Sequence, residues 1–119
     1  MRFLLRSLFL LCITFFAQAK DYNYSGIKPA VIIDVRTAEE FTSGHIEGAV
    51  NIPYEQIVNG ITSIKAIKKD SPILIYCRSG RRSSIAVQTL KNIGYKKIYD
   101  GGGMQRLQAN LKPCNIQSC

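Results

Sequence analysis

Cys77 closes the apolar run Ile73-Leu74-Ile75-Tyr76 and is followed by Arg78-Ser79-Gly80-Arg81-Arg82-Ser83-Ser84. That order predicts a buried strand ending on a thiol, a short basic loop, and a helix from about Arg82 to Asn92. Backbone N–H groups of such a loop, and the positive end of the helix behind it, point at the sulfur and favour an anion there. Three arginines add full charge. Each effect lowers a thiol pKa and produces the thiolate, which is the nucleophile. The same loop can hold an anionic substrate, so the expected chemistry is covalent catalysis through Cys77, with Arg78, Ser79, Gly80, Arg81, Arg82 and Ser83 around the substrate. A strand-end cysteine packed beside solvated arginines is the plainer reading. A polar, basic loop opening a helix favours function over packing.

Other residues offer weaker chemistry. His45, in Gly44-His45-Ile46, invites a Cys–His pair, but a lone histidine in that setting more often makes local bonds. Asp34 and Arg36 also look active, because they end a strand on the same side of the sheet as Cys77; the structural reading is an ion pair or loop hydrogen bonds that hold the framework near the site. Gly101-Gly102-Gly103 lacks the Lys-Ser/Thr of a phosphate-binding loop and reads as a turn. Cys114 and Cys119 are the simplest disulfide pair, leaving Cys77 free; two free tail thiols are the alternative. No metal is expected, because two tail cysteines and one histidine are too few ligands. No cofactor is required either.

These groups need a scaffold. Ala30–Val35 is apolar and β-branched and predicts a buried strand, after an extended lead-in over residues 20–29. Thr37 caps a short helix from Ala38 to Ser43, with Glu40 as its capping-box partner and Gly44 as its stop. Ala49–Ile52 reads as a short strand. Tyr54–Asn59 and Thr62–Lys69 read as two helical pieces separated near Gly60, with Ile64 and Ile67 on a shared inner face. After the strand Ile73–Cys77, the next helix presents Ile85, Ala86, Leu90 and Ile93 as its apolar face and stops at Gly94. Lys97-Ile98-Tyr99 is the last strand expected, ended by the three glycines, and Met104–Leu111 the last helix, cut off by Pro113. Strands alternating with helices predict an α/β fold with a central, mainly parallel β-sheet flanked by helices on both faces. Ligands of such sheets bind beyond the carboxyl ends of strands, where Cys77 lies.

The chain carries 16 Lys and Arg against 8 Asp and Glu, a formal net charge of +8. Met1-Arg2-Phe3-Leu4-Leu5-Arg6, the apolar run Leu8–Phe16 and Ala17-Gln18-Ala19 have the layout of a secretory signal peptide over residues 1–19, cleaved after Ala19. The run is short of the about 20 apolar residues of a membrane span. Export, most simply to a periplasm, is therefore expected, with no stable span after cleavage. The remaining basic excess suits anionic small molecules. The lysines are scattered and no aromatic residues interleave with them, so no nucleic-acid partner is expected.

At this point the chain resembles the rhodanese family of sulfurtransferases. The resemblance rests on Asp34-Val35-Arg36, Glu39-Glu40-Phe41, Gly44-His45-Ile46-Glu47-Gly48-Ala49-Val50-Asn51-Ile52-Pro53, the loop Tyr76–Ser83, Leu90…Gly94-Tyr95 and Gly101-Gly102. It covers residues 30–112, leaving 113–119 as a cysteine-containing tail, and the export signal points to the small exported single-domain type. It implies a rhodanese-like domain in which Cys77 takes a sulfane sulfur from thiosulfate or a related donor as a persulfide and passes it to cyanide or another thiophilic acceptor. Arg82 matches the family's loop-closing position. The implied partners are a small anionic sulfur donor and that acceptor; a monomer is expected, with a redox partner as a further candidate. Two departures stand out: few residues precede the Asp34 strand where many members have a helix, and no tryptophan follows the glycine turn. Three other readings compete. A Cys-based phosphatase or arsenate reductase would place arginine at the sixth position after the cysteine, where this chain has Ser83. A thiol–disulfide exchanger would favour a C-x-x-C motif, which is missing. A non-catalytic binding module would not need Cys77 and its basic loop.

Overall fold

The strands Val31–Asp34 (β2) and Ile73–Cys77 (β4) form the middle of the domain, because both are apolar on both faces and must be covered on both. The computed structural model describes residues 21–115 and Cys119; the expected signal peptide lies outside the described residues. In chain order the elements are β1 (Tyr22–Tyr24), β2, α1 (Ala38–Ser43), β3 (Val50–Asn51), a 3-10 turn (Tyr54–Gln56), α2 (Ile57–Thr62), β4, α3 (Arg81–Asn92), β5 (Ile98–Gly103), α4 (Met104–Asn110) and β6 (Leu111–Pro113). The main sheet has the order β3-β2-β4-β5 with every pair parallel. No described helix is long and apolar enough to cross a membrane.

Strand alternation sorts the core into two layers. Ile33, Ile73, Ile75 and Cys77 join Ile57 and Ile61 of α2 and Ala86, Val87 and Leu90 of α3 on one face. Ile32, Leu74 and Tyr76 join Tyr22, Ile46 and Leu107 on the other, under α4 and the β1–β6 ribbon. Helical elements on both faces of a parallel sheet are what the strand–helix alternation predicts.

α1 forms as its capping box dictates: the Thr37 hydroxyl accepts from Glu40 N–H, and the Glu40 carboxylate accepts from Thr37 N–H. Four expectations need correction. Gly60 does not separate two helices but lies inside α2, and residues 63–72 hold turns where a second helix was expected. A Cβ at Gly60 would sit 2.4 Å from Ile52 Cγ2, so the glycine admits close packing of α2 on the strand-end residue. The glycine run does not end the strand: β5 continues to Gly103, with Gly101 as the extra residue of a bulge, since Asp100 pairs with Ile75 and Gly102 with Tyr76. The lead-in is not merely extended, and the chain does not stop making strands at α4, because β1 pairs antiparallel with β6. Finally, Ile85 and Ile93 are 40% and 38% exposed. Ser83, Ala86, Val87 and Leu90 form the buried stripe instead, at the i, i+3, i+4, i+7 spacing of one helix face.

Candidate active site

Cys77 is the last residue of β4 and is buried, and its side chain points to the α3 layer. The chain turns at once through Arg78, Ser79 and Gly80 into α3. Gly80 has φ 103°, a left-handed conformation that aims its N–H back at the sulfur; Gly80 N donates to Cys77 Sγ at 3.0 Å. Burial is the largest single influence on the thiol and pushes its pKa up. Hydrogen bonds from the Ser83 hydroxyl and from the backbone N–H groups of Ser83, Gly80 and Ser79 pull it down and together prevail, so Cys77 lies below the ordinary thiol value of 9.0. The cradle therefore favours a thiolate although the sulfur is out of water.

The loop is held from three sides. Behind it, Gly103 of β5 admits close approach: a Cβ there would lie 2.7 Å from Arg78 O. Beneath it, Ser83 is fully buried and its hydroxyl lies 3.0 Å from Gly80 O and 2.8 Å from Asp100 Oδ1 of β5. At its far end the Arg82 guanidinium meets the Glu40 carboxylate of α1 with two contacts, 2.6 and 3.0 Å. The Arg82 bond holds Glu40 down at about 2, well under its ordinary carboxylate value. Arg78, Ser79 and Arg81 are exposed, so among the three loop arginines Arg82 is committed to a carboxylate while the other two face solvent.

Asp34 and Arg36 form a buried ion pair next to this loop. Arg36 Nη2 donates to Asp34 Oδ2 at 2.7 Å and to Gly44 O at 2.7 Å, and Arg36 N donates to Asp34 Oδ1 at 2.9 Å. Asn51 Nδ2 donates to the carbonyls of both Asp34 and Arg36. The pair thereby ties β2 to the end of α1 and to β3. His45 does not approach the thiol: its Nδ1 bonds Phe41 O at 2.8 Å and its ring stacks on Phe41 at 3.6 Å. Cys114 and Cys119 are joined in a disulfide, and Cys77 is a free thiol. Among the described residues no cluster could hold a metal ion.

Sequence reasoning gave Glu40 only its capping role and gave Asp100 none. Glu40 meets Arg82 across 42 positions, and no local pattern signals such a pair. The hint available for Asp100 was its place directly before the glycine run, on a strand next to β4. On the other side of the loop, Arg78, Ser79 and Gly80 form one wall of an open cleft of about 750 Å³ that reaches along α4 to Asn110.

The Rhodanese-like domain family matches residues 19–109. Thiosulfate sulfurtransferase PspE of Escherichia coli is 34% identical over 73 residues, covering 61% of this chain and 69% of that protein. The uncharacterized protein YqhL of Bacillus subtilis is 38% identical over 89 residues, covering 74% of this chain and 68% of its own length. Among solved structures, a rhodanese with anions from E. coli superposes with a TM-score of 0.58 at 31% identity, over 64% of this chain and 88% of that one. The human single-domain sulfurtransferase TSTD1 superposes with a TM-score of 0.59 at 26% identity, over 67% and 80%. A family match over most of the length and the parallel sheet shared with these structures lead to one assignment: the chain belongs to the rhodanese family of sulfurtransferases.

Proposed function

We propose that the chain is an exported thiosulfate sulfurtransferase whose sulfur carrier is Cys77. The observation that carries this reading is the bond from Gly80 N–H to Cys77 Sγ at 3.0 Å, at the end of a parallel strand where several N–H groups converge on one sulfur. Such a ring stabilises a thiolate before reaction and a persulfide anion after it.

The Cys77 thiolate attacks the outer sulfur of thiosulfate. A new S–S bond forms, the bond from that sulfur to the sulfonate sulfur breaks, and sulfite leaves with its electron pair. Cyanide or another thiophile then attacks the outer sulfur of the Cys77 persulfide, the S–S bond breaks, and the thiolate returns. Arg78 and Arg81 offer exposed charge to the dianionic donor. Arg82 closes the loop from its anchor on Glu40. Asp34 and Arg36 hold the frame. The Cys77-to-Arg82 spacing leaves one residue fewer than a phosphate-encircling loop, which favours a compact sulfane sulfur over a phosphoryl group. Cleavage after Ala19 delivers this domain outside the cytoplasm.

Intact mass of the purified protein tests the reading. Thiosulfate should add one sulfur atom, cyanide should remove it as thiocyanate, and Cys77→Ser should abolish both. Normal turnover by Cys77→Ser, or efficient hydrolysis of p-nitrophenyl phosphate by the unaltered protein, would overturn it. N-terminal sequencing of the cell-envelope fraction should give Lys20 as the first residue.

A further inference from the structure

Six lysines from separate segments of the sequence meet at one end of the fold. Lys65, Lys68 and Lys69 precede β4, Lys91 lies in the last turn of α3, and Lys96 and Lys97 lead into β5. Lys96 N–H donates to Lys69 O at 2.9 Å and Ile73 N–H donates to Lys97 O at 2.9 Å, so the segments before β4 and β5 lie side by side. The Lys69 ammonium donates to Ile93 O at 2.7 Å and sits 4.2 Å from the Tyr95 ring centroid, which brings the end of α3 against them. This face stands at the amino ends of β4 and β5. Cys77 is at the other end of β4, about 13 Å away along the strand.

The composition of the face defines its partner. All six lysines are exposed, and among the described residues none forms an ion pair with a carboxylate. Residues 63–72 and 91–97 hold one acid, Asp70, and no arginine. Like charges placed side by side repel, so the cluster weakens the fold unless an anion covers it. Ile93, whose carbonyl holds Lys69, is 38% exposed among these charges. Ammonium groups around an exposed apolar side chain suit a layer of anionic headgroups, which they attract while the apolar group enters between them. A carboxylate-rich protein surface is met best by arginine forks, and this face has none. A nucleic-acid strand needs exposed aromatic rings for stacking, and Tyr95 is buried.

We propose that this lysine face is a peripheral docking surface for an anionic lipid bilayer, with Ile93 entering the headgroup layer. Docked in this way, the domain rests on the amino ends of its strands and the Cys77 loop faces away from the lipid. The proposal does not depend on the reaction at Cys77.

The test is co-sedimentation with vesicles of phosphatidylglycerol and phosphatidylcholine in equal parts. Lys96→Gln combined with Lys97→Gln should weaken partition by about thirtyfold. Arg106→Gln combined with Lys112→Gln removes the same charge from other exposed positions and should weaken it by less than about threefold. Each comparison is between variants of one chain, so residues 1–19 contribute equally. Binding should vanish at about 1 M salt, where the Debye length is about 3 Å. Equal weakening by the two pairs would reduce the effect to net charge and overturn the proposal, as would no binding by the unaltered protein. A second measurement reports orientation. The chain has no tryptophan, so Ile93→Trp and Ile85→Trp each install a single reporter, about 12 Å apart along α3. Vesicles should shift the Ile93→Trp emission to the blue and leave the Ile85→Trp emission unmoved. A shift at Ile85→Trp alone, or at neither, would also overturn it. Binding to soluble polyglutamate as tight as to the vesicles, with the Ile93→Trp emission unmoved, would replace the bilayer by an acidic protein.

Discussion

Ser83 Oγ lies 2.8 Å from Asp100 Oδ1, and the same hydroxyl is a partner of Cys77. A serine hydroxyl has one proton to donate. Asp100, the Gly80 carbonyl and the sulfur therefore compete for it, and a thiolate gains more of the hydroxyl when Asp100 holds it less tightly. Asp100→Asn weakens the competing acceptor and removes a negative charge. It should lower the pH midpoint of Cys77 alkylation and speed alkylation at pH 7 roughly threefold. In a Ser83→Ala background the same substitution should do much less. An undiminished effect there would mean that Asp100 acts on the sulfur through its charge alone.

Persulfide formation should follow the thiolate. Its rate constant should rise with pH and level off through a midpoint below the ordinary thiol value of 9.0, since the N–H cradle and Ser83 outweigh burial. Rapid-quench kinetics with thiosulfate between pH 5 and 10 measures this. A midpoint above 9.0 would show that burial wins.

Glu40 links the capping box of α1 to Arg82 beside the Cys77 loop, so its charge matters twice. Its pKa is lowered to about 2 in the folded protein, against an ordinary 4.5. A depressed folded pKa contributes stability that is present above 4.5 and is lost as pH falls from 4.5 towards 2. Glu40→Gln should therefore flatten the acid limb of a stability–pH curve and cost about 1 kcal/mol at pH 7, a modest figure because the pair is partly exposed. It should also lower the efficiency of thiosulfate transfer, as Arg82 loses its anchor. Chemical denaturation at several pH values and steady-state kinetics give both readings.

The Asp34–Arg36 pair is buried, with side chains 0% and 6% exposed. Arg36→Ala strands the Asp34 carboxylate and the Gly44 carbonyl, and should cost about 3–5 kcal/mol. Thermal unfolding should show the loss directly. An unchanged melting temperature with lost activity would reassign Arg36 to the reaction.

Gly60→Ala offers a test in which two effects oppose each other. Alanine favours a helix by about 1 kcal/mol over glycine. The Cβ would overlap Ile52 Cγ2 at 2.4 Å, and overpacking of this kind costs about 1–3 kcal/mol. Net destabilisation is expected. Gly60→Ala paired with Ile52→Val should recover part of it.

The course of the chain was legible where signals are local. The Thr37–Glu40 capping box bounds α1, the apolar run Ile73–Ile75 marks β4, and the Cys77 loop marks the start of α3 within one residue. Reading failed where a distant contact decides. Gly60 looks like a break until Ile52 lies against it. The glycines of β5 look like a turn until β4 pairs with them. β6 has no strand signal of its own, and forms because β1 offers it an edge. At the site the strand-end Cys77 and the loop after it were plain, whereas Glu40 and Asp100 meet partners 42 and 17 positions away.

The β1–β6 ribbon has a mechanical consequence. Tyr22 faces Pro113 and Tyr24 faces Leu111, with Cys114 N–H bonded to Asp21 O just outside. The two strands therefore leave the domain side by side at the same end. Tension between Asp21 and Cys114 would load these hydrogen bonds one after another, as a zipper, before it reached the parallel sheet. The first wall to peel away would be Tyr24 and Ser25 of the cleft, while the thiol and its loop stayed seated on β4.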